Sequence, residues 1–96
     1  MTDPDDVALP TGPPPSRFCR TVTTIAPQES IPYVAADWAD AIVTITAGDV
    51  DLCCLLGGRR RFTTGAILVL AGLSLRELHN PGLVDAVLVA LARRPP

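Results

Sequence analysis

An all-β fold follows from three features of this sequence. From residue 17 onward, short segments rich in Thr, Val and Ile alternate with turn-forming residues, the pattern of strands joined by tight connections. Over residues 37–46 a period of two places Asp37, Ala41, Val43 and Ile45 on one face and Ile42, Thr44 and Thr46 on the other. Paired glycines, Gly57-Gly58, separate an apolar run from a charged one and supply the positive φ angles that tight β-turns need.

The elements can be taken in chain order. Residues 1–16 include "PTGPPPS", which has no periodicity and suits neither a helix nor a central strand, so they read as a flexible extended tail ahead of a single domain over 17–94. "RTVTTI" reads as a strand, "APQESIP" as turn, "AIVTIT" as a strand and "AGD" as a turn. "VDLCCLL" followed by "GGRRRF" reads as a hairpin, and another strand starts at Gly65. The last third is even on local grounds. "GAILVLAGLSLREL" and "PGLVDAVLVALARR" suit helices, with Asn80-Pro81 resembling a helix start and Arg93-Arg94 an end. Yet Pro81-Gly82 is also a normal turn, and "AVLVAL" is the short apolar run of a fully buried strand.

Composition bounds the function. A chain of 96 residues forms one domain that buries roughly 60–65% of its unfolded surface, so its core is modest. Only four residues are aromatic, which leaves Val, Ile, Leu and Ala to build that core. The net charge is −2, and the one basic cluster is Arg59-Arg60-Arg61, which reads as solvated charge on a hairpin flank; nucleic acid is not an expected partner. The acidic start "MTDPDD" with no apolar stretch after it points to a cytoplasmic protein, and the longest apolar run is too short for a bilayer, which needs about 20 residues. Cys19, Cys53 and Cys54 have no zinc spacing and read as free thiols, although a disulfide to Cys19 stays open. Adjacent residues on a strand face opposite ways, so at most one of Cys53 and Cys54 lines an interior.

Gly65, Ala71, Gly72, Arg76 and Asn80, followed by Pro81-Gly82, fit the spacing of a motif that runs Gly, five residues, Pro, one residue, Gly, two residues, His, three residues, Asn. Ala71 takes the proline position, the second glycine comes one place early, and Arg76 takes the histidine position. Gly48 suits the closing glycine of a companion motif, which puts Ala41 at its glutamate and Asp37 with Ala35, or Ala36 with Val34, at its two histidines. On these positions the stretch over 17–94 resembles a cupin, in particular the small single-domain cupin-like proteins of actinobacterial type, with the metal-binding residues replaced. The resemblance implies a small antiparallel jelly-roll barrel and a homodimer. It also implies an aliphatic interior if Ala41 points inward, to which Val50, Leu52, Cys54 and Phe62 add.

One histidine and scattered aspartates cannot supply the converging ligands of a first-row metal, so no metal or other cofactor is expected. If Arg76 points inward with Leu78 and Asn80, parity puts His79 outside. The resemblance places Asp37 and Arg76 where metal ligands usually sit on two strands. There they pair with each other, or Arg76 grips a carboxylate or phosphate, or Arg76 bonds Glu77 or water at the rim. Tyr33 and Trp38 flank Asp37 and complete the expected ligand-binding set of Arg76, Asp37, Tyr33 and Trp38. The reading is a metal-free, non-catalytic module for a small apolar or anionic ligand, with neither nucleic acid nor membrane as partner. Two alternatives stand beside it: an acid/base enzyme of epimerase or cyclase type using Tyr33, Asp37 and His79, and an interaction barrel filled by its own side chains.

Overall fold

The computed structural model describes residues 18–93; the expected tail over 1–16 and the outer limits of the domain at 17 and 94 fall outside the described residues. Within them run eight strands, β1 (Phe18–Ile25), β2 (Ser30–Pro32), β3 (Ala41–Ala47), β4 (Val50–Cys54), β5 (Arg59–Phe62), β6 (Ile67–Leu68), β7 (Leu75–His79) and β8 (Ala86–Arg93), with a 3-10 turn over Ala35–Trp38. They form two four-stranded antiparallel sheets, ordered β1-β8-β3-β6 and β2-β7-β4-β5. Every connection except the β4–β5 hairpin crosses from one sheet to the other, which is the jelly-roll order.

The core lies between the sheets and is aliphatic, as the period of two predicts. Ala41, Val43, Ile45, Val50 and Leu52 are buried, joined by Leu78 and Leu88, while Cys54 and Phe62 are half-buried against them. Trp38 and Leu70 are buried in the same cluster from the long connections.

Both helix-like stretches of the last third are strands. β8 lies between β1 and β3, so its backbone is hydrogen-bonded on both sides. Its inner row of Ala86, Leu88 and Ala90 and its outer row of Val87, Val89 and Leu91 are all apolar, which erases the alternation that marks a half-exposed strand. Asn80 caps no helix. Its buried amide Nδ2 donates to the Ile25 carbonyl at 2.9 Å and the Val84 carbonyl at 2.7 Å, and its Oδ1 accepts from Gly82 N at 2.8 Å. The side chain thus ties the β7–β8 turn to the end of β1.

Two segments differ from expectation. "APQESIP" contains a strand, β2, which pairs with β7 through Ser30, Ile31 and Pro32. Pro32 is tolerated because β2 is the edge of its sheet. Residues 35–38 form a 3-10 turn rather than leading directly into β3, so Asp37 does not share a strand face with Ala41.

Bulges adjust two pairings. In β7, Glu77 pairs with Cys53 but Leu75 with Cys54, leaving Arg76 as the extra residue. Leu75 and Leu78, three apart, are therefore both buried. In β3, Thr46 is the extra residue opposite β8. Gly48, in the next turn, has φ +76°, and a Cβ there would stand 2.7 Å from the Asp85 carbonyl oxygen.

Candidate functional site

Of the four sequence-predicted ligand residues, Asp37 and Trp38 line one pocket, which Tyr33 and Arg76 do not line. Tyr33 donates from its hydroxyl to the Leu70 carbonyl at 2.7 Å, and its backbone N–H donates to the Arg76 carbonyl at 3.1 Å, so it fastens the β2–β3 connection to the β6–β7 connection and to β7. Arg76 is exposed at its bulge and its side chain bonds to none of the described residues. The Asp37–Arg76 ion pair does not form, and Asp37 lies on the 3-10 turn while Arg76 lies on β7. Asp37 and Trp38 come together in a cleft between the sheets, beside Thr21 and Thr23.

His79 faces outward from the second sheet. Leu78 beside it is buried with Leu52 and Ile31, whereas His79 stands in a row with Ser30 on one side and Asp51 on the other. Its Nδ1 lies 2.7 Å from the Ser30 hydroxyl. Tyr33, Asp37 and His79, the trio an acid/base reading requires, therefore belong to three different places. General acid/base work needs its groups within hydrogen-bond reach of one substrate.

The arginine run divides by strand parity. Arg59 and Arg61 project from the outer face of β5 onto Asp51 of β4, at 3.2 Å and 2.8 Å. The Asp51 side chain has no exposed surface, being roofed by the two guanidinium groups. The Arg61 hydrogen bond above all, followed by that of Arg59, holds its carboxyl below the ordinary value against the opposing pull of burial. Arg60, between them, turns to the inner side with Phe62 and lies 5.8 Å from the centre of its ring.

Arg60 and Phe62 line a pocket of about 350 Å³ at the end of the barrel where the β4–β5 and β6–β7 connections meet. Leu52, Cys54, Leu73 and Leu75 form its apolar walls, and Ser74 adds a polar group. Arg60 is the pocket-lining residue that the sequence reading passes over by treating three arginines as one charged flank. The signal was present, since Phe62 on the core side puts Arg60 on that side and its neighbours on the other. Cys54 lines the pocket while Cys53 is buried on the opposite face, and all three cysteines are free thiols.

Among the described residues, no three or more His, Cys, Asp or Glu side chains gather as a metal ion requires. No helix among them is long and apolar enough to cross a membrane.

No family model matches the sequence, and neither does any curated protein. Solved structures do match in fold. A Cupin 2 conserved barrel domain protein from Salinispora arenicola superposes with a TM-score of 0.62 at 20% identity, over 95% of this chain and 85% of that one. The Cupin_2 domain of an XRE family transcriptional regulator from Enterobacter cloacae superposes with a TM-score of 0.58 at 18% identity, over 83% of this chain and 84% of that one. The chain therefore has the fold of a cupin barrel.

Proposed function

We propose that this protein is a non-catalytic member of the cupin superfamily that holds a small, mostly apolar molecule with one anionic group in the pocket at the barrel mouth. The observation that carries the reading is the division of the arginine run. Arg59 and Arg61 are neutralised by Asp51, whereas Arg60 makes no ion pair with the described residues and stands on the rim of an apolar cup. A guanidinium there offers a carboxylate a two-pronged, charge-assisted hydrogen bond, and the Leu and Phe walls take the apolar part. The Enterobacter cloacae barrel, which belongs to a transcriptional regulator, supports an accessory or sensory role for a barrel of this kind.

Titration calorimetry with octanoate and with octanol tests this. Octanoate binds to the wild type, and Arg60→Leu weakens it about tenfold, the value of one charge-assisted hydrogen bond, while octanol binding changes little. Equal binding of octanoate to wild type and variant would remove Arg60 from the site, and no binding of either probe would remove the pocket.

The proposal includes a cytoplasmic homodimer. Support comes from the outer face of the first sheet, where the side chains of Val22, Ile42, Ile67 and Leu91 are exposed on four hydrogen-bonded strands. Association with a second copy removes such a patch from water.

A further inference from the structure

A second cavity, separate from the barrel mouth in every residue that lines it, opens where the edge strands β1 and β2 face each other across the two sheets. It has a volume of about 310 Å³ and is lined by Thr21, Thr23, Ile31, Asp37, Trp38 and Ala90. Strand parity explains its polar character. Thr21 pairs with buried Ala90 and Thr23 with buried Leu88, so both threonines stand on the inner face of the first sheet, whose buried residues are aliphatic. The 3-10 turn brings Asp37 and Trp38 to the same opening.

These groups have no partner among the described residues. Thr46 and Thr64 spend their hydroxyls on the carbonyls of Val87 and Gly48, but the hydroxyls of Thr21 and Thr23 bond to none of the described residues. The Asp37 carboxylate has no ion pair among them, since Asp51 takes the two salt bridges present. The indole of Trp38 is only 5% exposed, and its N–H, a donor that normally finds an acceptor when buried, likewise bonds to none of them. Two threonines, an aspartate and the tryptophan thus line one cleft, and none of its lining residues is cationic.

We propose that this cleft binds a small neutral polyhydroxylated molecule of monosaccharide size. A hydroxyl donates to Asp37 and accepts from the Trp38 N–H, and the threonines can do either, so one functional group satisfies all four protein groups. An anion meets the unneutralised Asp37 carboxylate and no positive partner. Ile31, Ala90 and the Trp38 ring supply the apolar surface against which the C–H face of such a molecule packs.

Trp38 is the only tryptophan of the chain, so its fluorescence reports on this cleft directly. D-glucose, D-ribose, myo-inositol and glycerol are titrated into the tens-of-millimolar range. The expected result is a saturable change in Trp38 emission with at least one of them. Asp37→Asn and Thr23→Val each weaken that binding about tenfold while the unfolding midpoint stays near that of the wild type. Thr23→Val preserves shape, and so keeps the test valid if the other variant unfolds. No saturable response to any of the four, or an undiminished response in folded variants, overturns the proposal. A saturable response to ethanolamine or choline with none to the polyols overturns it too, by assigning the carboxylate to a cation.

Discussion

Asp51 and Asn80 are both fully buried polar residues, and each resolves the cost of burial differently. Asn80 uses both ends of its amide on three backbone partners from β1 and its own turn. Truncation in Asn80→Ala leaves those buried groups unpaired, and urea unfolding is expected to show a loss of about 2–4 kcal/mol. Asp51 is instead a charge under two arginines, and its pairing is linked to pH. Its folded-state carboxyl titrates below the unfolded value of about 3.9. The pairing therefore stabilises fully above that value and is lost as pH falls through the lower folded one. Asp51→Asn is expected to lower Tm by several degrees at pH 7, and the gap between variant and wild type should close as pH falls from about 5 toward 2. A gap that stays constant over that range would show that the ion pairs contribute nothing.

At the scale of elements, the turn between β3 and β4 depends on a backbone that no side chain tolerates. Gly48 combines φ +76° with an approach that would place a Cβ 2.9 Å from the Ala86 Cα and closer still to the Asp85 carbonyl. Gly48→Ala is therefore expected to cost more than about 2 kcal/mol in chemical unfolding, where a substitution at Gly58, with open space around it, costs only the strain of its φ. β3 is legible from its alternation, β1 from its richness in Thr, Val and Ile, and the β4–β5 hairpin from its glycines. β8 stood as a strand beside an equal helical reading, because both of its faces are apolar, and β2 was not legible, because three residues that include a proline carry too short a pattern. The site was legible only in fragments. Asp37 and Trp38 do meet at a cleft, but a 3-10 turn rather than a strand brings them there. Arg76 drew attention by its place in a motif, yet the bulge leaves it exposed, and Arg60 was hidden in a run of identical residues whose parity alone distinguishes them.

For the molecule as a whole, the two sheets have unlike outer faces. The second sheet carries Ser30, His79, Glu77 and the Asp51 cluster outward, a surface that water solvates well. The first carries Val22, Val89, Leu91, Ile42 and Ile67, continuous across hydrogen-bonded neighbours: Val22 pairs with Val89, Ile42 with Leu91, and Thr44 links Val89 to Ile67. Single exposed apolar residues are ordinary, but a row that crosses four strands is the kind of patch that monomers rarely leave in water. A two-fold axis through this face would set each apolar row against its own copy, and a chain this small gains relatively more from such burial than a larger one. Light scattering after size exclusion is expected to give twice the mass of one chain. It should fall to that of one chain in Val89→Lys, because a charge between Val22 and Thr44 on the central strand of the patch cannot be buried unpaired. Dimerisation also makes Tm rise with protein concentration in the wild type but not in the variant. A wild type that runs as one chain at all concentrations, with a constant Tm, would leave this face without its partner and the dimer without support.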